Sequence, residues 1–162
     1  MKKYSAVIIM VNLVAFFVFF NHSIVKKEEL LEQGELILLE LAPVDPRSLM
    51  QGDYMWLRYT LSEDINSDSI PKRGFCVVGL DTRGIAQKKR FQKERAPLGQ
   101  NEYLIEYTSQ NRWNINIGAE SFFFQEGEAE KYEAAEYGAL KVDKMGNSIL
   151  VGLYDADLKK IE

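Results

Sequence analysis

Residues 4–20 read YSAVIIMVNLVAFFVFF, an apolar run with no charge and only Ser5 and Asn12 as polar interruptions. Seventeen residues at a helical rise of about 1.5 Å extend roughly 26 Å, near the lower limit for crossing a hydrocarbon core of about 30 Å. The pattern predicts a transmembrane anchor over residues 1–25, with 21–25 passing through the interface. Residues 26–34 then change character. KKEELLEQ reads as a short charged juxtamembrane helix that Gly34 could end.

From residue 35 the period shortens to two, the period of a β-strand. ELILLELA (35–42) is compatible with a strand, and the following 43–53 segment, with two prolines, a glycine and two aspartates, reads as a loop. In 54–61, Met55, Leu57, Tyr59 and Leu61 share one face, while Tyr54, Trp56 and Arg58 share the other. FCVVGL (75–80), the turn DTRG and a basic return strand at 85–91 form a predicted hairpin. Strands are also predicted at 102–108 and 113–117, and a closing hairpin at 139–143 and 148–154. Between them, Ala129, Tyr132 and Ala135 recur at helical spacing, with Glu126, Glu130 and Glu133 on another face and Gly138 where such a helix would stop. The predicted fold class is mainly β (α+β): a single N-terminal transmembrane helix followed by a small antiparallel β-rich, barrel-like domain over 35–162 with one amphipathic helix.

A cleaved signal peptide is the rival reading of the N-terminus, because Lys2 and Lys3 supply a basic start. Cleavage needs small residues before the cut, and Phe19, Phe20, Asn21 and His22 are bulky. A retained anchor is therefore expected. Lys2 and Lys3 nearly balance Lys26 and Lys27, yet the short basic tip and the long acidic remainder favour a cytoplasmic N-terminus and a translocated, extracytoplasmic domain.

The formal net charge is −4, and it becomes more negative once Lys2 and Lys3 are set apart from the domain, which disfavours nucleic acid as a partner. The single cysteine, Cys76, excludes an intrachain disulfide and a Cys-based metal cluster and reads as a small buried hydrophobe. The single histidine, His22, lies beside the membrane, so a His-dependent nucleophile has no base in the domain. Neither nucleotide-binding glycine motif is present. The glutamates of 126–136 read as a solvated face, not as converging cation ligands. Lys88, Lys89, Arg90, Lys93 and Arg95 form the one basic cluster, read as an exposed edge strand whose charges discourage sheet-to-sheet pairing, with contact to anionic lipid headgroups or an acidic partner as the other use. No catalytic set, cofactor or metal site is expected from these residues.

PRSLMQGDY is loosely similar to the loop of the signal-peptidase and repressor-cleavage fold. Ser48, Leu49, Gly52 and Asp53 match its loop and strand start, but the nucleophile position falls near Val44 or Asp45. A Ser/Lys hydrolase centred on Ser48 is the alternative this likeness leaves, and a small-ligand sensor in a barrel mouth is a third.

A closer resemblance lies in Gly52-Asp53-Tyr54-Met55-Trp56-Leu57-Arg58-Tyr59, which matches the signature of the GDYXXLXY family of bacterial membrane-anchored proteins. An FxxEG element at 123–127, with Glu126 and Gly127, and a YG-x-L-x-VD-x-x-G element at 137–146 are similar to that family too. The resemblance, from about Glu35 onward, implies a membrane-anchored domain often associated with a polytopic membrane protein, with no established catalytic residue. In physical terms Gly52 permits a turn and Asp53 can accept loop amides before the strand. The motif then reads first as a turn and strand start, and as a partner surface if aromatics among Tyr54, Trp56, Tyr59, Tyr103, Tyr107 and Trp113 share an exposed patch. The expected function is a non-enzymatic envelope protein whose domain binds a membrane or envelope partner.

Overall fold

The computed structural model describes residues 2–42, 54–63, 65, 70–109 and 114–162. Helix α1 (Lys2–Gln33) is continuous, so the charged segment 26–33 prolongs the apolar helix instead of forming a separate one. No breaker stands between Val25 and Gly34, and extending a helix costs less than nucleating a second. At its end the Gly34 N–H donates to Leu30 O at 3.0 Å. A Cβ at Gly34 would collide with that carbonyl, so the tight exit from the helix requires glycine.

Within α1, Val7–Gln33 is long and apolar enough to cross a membrane, and its most apolar stretch is not covered by the rest of the protein. Asn12, inside the apolar run, is satisfied internally, its Nδ2 donating to Ile8 O at 2.9 Å. Hydrocarbon offers no alternative partner for such a group.

The strands are β1 (Glu35–Glu40), β2 (Tyr54–Trp56), β3 (Arg73–Leu80), β4 (Ala86–Gln92), β5 (Glu102–Ser109), β6 (Ile115–Asn116), β7 (Ser121–Phe123), β8 (Tyr137–Val142) and β9 (Ser148–Tyr154), with a short α2 (Ala129–Tyr132). Among the described residues they form three antiparallel sheets, in the orders β1-β8-β9, β2-β7 and β4-β3-β5-β6. The sheets do not close into a barrel. Single bridges, Leu38 with Ile85 and Leu41 with Tyr59, are the pairings that join them.

The main core lies between the sheets and includes Ile37, Leu39, Leu57, Tyr59, Cys76, Val78, Ile105, Tyr107, Leu140 and Leu153. Burying each large apolar side chain contributes about 1.5–3 kcal/mol. Because β3 is central, its other face must be covered as well. Phe75, Val77 and Leu104 form a second cluster there, roofed by the β8–β9 turn and the 93–99 loop. Glu106 N–H donates to Gly146 O at 2.9 Å, and the Arg95 guanidinium lies 5.5 Å from the Phe75 ring centroid. Gly146 has φ +91, and a Cβ on it would press to 2.9 Å from that ring, so both backbone and space demand glycine.

Some predicted elements are shorter than their sequence patterns, among them the strand over 113–117, of whose described residues only Ile115–Asn116 are strand. The strand over 54–61 keeps its ladder only to Trp56; beyond it the Leu57 N–H turns to Glu120 O at 2.6 Å, and a 3-10 turn follows at Thr60–Ser62. Its alternation persists, with Leu57, Tyr59 and Leu61 buried and Arg58 exposed. The helix predicted to stop at Gly138 ends at Tyr132, because residues from Tyr137 onward gain two β neighbours, β1 and β9. Gly138 is a strand residue opposite Leu39.

Lys88, Lys89 and Arg90 of the basic cluster sit on edge strand β4, Lys93 and Arg95 follow it in the 93–99 loop, and most of these charges are engaged within the domain. Arg90 donates twice to the Glu102 carboxylate, at 2.7 Å each, and Lys88 Nζ donates to Leu61 O at 3.2 Å. The Arg90 hydrogen bonds, reinforced by the Gly99 N–H at 2.8 Å, hold the Glu102 carboxyl down to about 2.

Candidate partner-binding surface

Three family elements named by the sequence meet in the folded domain. Tyr59 is wholly buried, and its hydroxyl donates to Ala119 O at 2.6 Å. Its ring lies on Gly138, where a Cβ would come within 2.9 Å of Cε1. Burial, with the nearby Glu120 carboxylate, pushes the Tyr59 phenol well above its ordinary range, so it remains a neutral donor. Leu57 is equally buried.

Glu120 folds back over its own loop. Its carboxylate accepts the Ile117 N–H at 2.5 Å while its carbonyl takes the Leu57 N–H. Burial raises its carboxyl above the usual carboxylate range, against the lowering pull of the peptide N–H groups of 117–120. Tyr59 and Glu120 thus fasten the second half of the motif to the 117–120 loop from two directions.

The residues of opposite parity face water. In the β2–β7 ribbon Tyr54 lies opposite Phe123, Met55 opposite Phe122 and Trp56 opposite Ser121. Met55 and Phe122 point to the core, Phe122 meeting the Tyr132 ring edge-on at 4.9 Å. Tyr54, Trp56 and Phe123 point outward and are 42%, 49% and 73% exposed. The Tyr54 and Phe123 rings touch, with centroids 5.7 Å apart. Exposed Glu126 and Gly127 follow in the adjoining turn, where Glu128 N–H closes on Gln125 O at 3.1 Å and Gly127 takes φ +86.

Of the aromatics named from the sequence, Tyr54 and Trp56 are on this surface, Tyr59 and Tyr107 are interior, and Tyr103 is half-buried. Trp113, Gly52, Asp53 and Ser48 lie outside the described residues. Phe123 is the surface member the sequence reading passed over. The Phe122–Phe123–Phe124 run contains the signal, since strand alternation sends its middle ring to the opposite side.

Beside Trp56 is a hollow of about 220 Å³, bordered by Arg58, Glu63, Asn114 and Glu120, smaller than the roughly 300–1,000 Å³ of ordinary small-molecule pockets. Among the described residues no three His, Cys, Asp or Glu side chains gather where a metal ion could be held.

The GDYXXLXY protein family pattern matches residues 16–153, most of the chain, and the chain belongs to that family. The match starts inside α1, so it takes in part of the apolar helix as well as the domain from Glu35. No curated protein and no solved structure matches the chain.

Proposed function

We propose that this GDYXXLXY-family protein is a non-enzymatic, single-pass protein of the bacterial inner membrane. In this reading the N-terminus is cytoplasmic and the extracytoplasmic β domain docks a polytopic membrane or envelope protein through Tyr54, Trp56 and Phe123. The observation that carries the reading is the exposure of those three aromatic side chains on one face of the β2–β7 ribbon. Aromatic clusters left facing water are enriched where another protein covers them, and Trp and Tyr dominate such contacts energetically. On the other face of the ribbon Met55 and Phe122 pack against the core and hold it to the domain.

The test is photo-crosslinking in native membranes from an unnatural benzophenone residue at Trp56 or Phe123, with Asp157 as a distant control. A discrete adduct with one membrane or envelope protein, formed at Trp56 and Phe123 and not at Asp157, is the expected result. Equal background at all three positions would defeat the proposal.

A further inference from the structure

The membrane-proximal side of the domain follows from the chain path. Strand β1 begins two residues after α1, and Glu35 pairs with Val142, so β8 runs back toward the helix and the β8–β9 turn lies at the helix end. Lys141 Nζ donates to Gly34 O at 2.8 Å, and Leu30 is buried at the junction. A cleft of about 1570 Å³ separates helix and domain; Ser23, Lys26 and Lys27 line it on the helix side, Leu98, Lys144 and Met145 on the domain side. Ser23 lies about 15 Å back along the helix from Gln33 at 1.5 Å per residue, where the apolar run gives way to charge.

The two tips facing this region are built alike. Each has an inner part that covers Phe75 and an outer apolar side chain left in water, Leu98 at 43% and Met145 at 47% exposure. Arg95 Nε donates to Met145 O at 3.1 Å and ties the tips together. Exposed Lys144 precedes Met145 in its turn, and exposed Lys93 stands two residues before Arg95 at the start of the 93–99 loop. Of the acids along the cleft, Asp143 is committed to the Met145 and Asn147 N–H groups and Glu102 to Arg90. Glu29, Glu35 and Glu106 complete the acidic lining.

We infer that the Leu98 and Met145 tips dock on the anionic phospholipid surface of the bilayer that holds α1. The two apolar side chains enter the headgroup boundary, and Lys93 and Lys144, with Lys26 and Lys27 of the helix, lie at phosphate level. This rests on the anchor part of the proposed function and is independent of the aromatic surface. Docking would fix the domain's tilt on the membrane and hence the direction in which Tyr54, Trp56 and Phe123 face.

The full chain, reconstituted at no more than one copy per vesicle in phosphatidylglycerol and phosphatidylethanolamine, tests this by nitroxide accessibility. Labels go on Leu98→Cys, Met145→Cys, Val14→Cys in the anchor, and Asp157→Cys at the opposite end of β9; buried Cys76 stays unlabelled in the folded protein. Labels at 98 and 145 are expected to be protected several-fold from an aqueous nickel chelate relative to 157, with the protection reduced in phosphatidylcholine vesicles and by Lys93→Glu with Lys144→Glu. Chelate access at 98 and 145 equal to that at 157, with 14 protected, overturns the inference alone. Protection that ignores lipid charge and both lysine reversals overturns it as well. Chelate access at 14 overturns the anchor reading on which it stands.

Discussion

Tyr59 lies so closely on Gly138 that a single added carbon would come within 2.9 Å of its ring. The last residue of the signature motif and the glycine of the YG element are therefore two halves of one contact, between the segment after β2 and the middle sheet strand β8. Gly138→Ala should lower stability by about 1–3 kcal/mol, since neither the buried ring nor the strand has room to retreat. Tyr59→Phe leaves the Ala119 carbonyl without its 2.6 Å donor and should cost about 1–3 kcal/mol. Denaturant unfolding of the detergent-solubilised protein measures both, and the double variant should depart from additivity because both changes act on the seating of one ring.

Much of this arrangement is written in the sequence, and the missing parts have one physical origin. The parity of Met55, Leu57 and Tyr59 against Tyr54 and Trp56 correctly assigns inside and outside, because alternation is a local property. The charged 26–33 stretch differs from the apolar run in composition, which suggests a new element, yet charge alters what a helix faces and not its backbone, so α1 continues to Gln33. The local spacing of Ala129, Tyr132 and Ala135 points to a helix that Gly138 would stop, whereas the role of Gly138 is fixed by Tyr59, 79 positions earlier. Phe123 and the cleft under the domain depend on pairings between β2 and β7 and between β1 and β8, which no local pattern specifies.

The Glu102–Arg90 pair predicts an acid limb in the stability profile. Held down to about 2 in the folded state against an ordinary 4.5, the Glu102 carboxylate contributes stability present above about pH 4.5 and lost as pH falls toward 2. Glu102→Gln removes that contribution, so the difference in urea midpoint between native protein and variant should be largest near neutrality and shrink below pH 4.5. A difference that stays constant from pH 7 to pH 3 would show that the pair does not couple to folding.

Glu120 has the opposite sign. Burial raises its folded carboxyl above 4.5, so its contribution is fullest below pH 4.5 and is lost as pH rises through the raised value. Glu120→Gln retains an oxygen for the Ile117 N–H and eliminates the buried charge, and should be at least as stable as the native protein at pH 7. Glu120→Ala strands the Ile117 N–H and should cost about 1–3 kcal/mol. Parallel urea titrations at pH 4 and pH 7 separate the two effects.

Cys76 supplies an internal reporter for these variants. It is fully buried in the central strand β3, and burial pushes its thiol up to about 12, with Lys88 pulling slightly the other way. A thiol reagent needs the exposed thiolate, so alkylation at pH 8 should wait for unfolding and proceed at least about 10³-fold more slowly than in denaturant, given the 5 kcal/mol or more usual for a folded domain. Gly138→Ala should accelerate it about 5- to 150-fold, the equivalent of about 1–3 kcal/mol. Rapid labelling of the native protein would mean that β3 opens on its own, independently of the Tyr59–Gly138 contact.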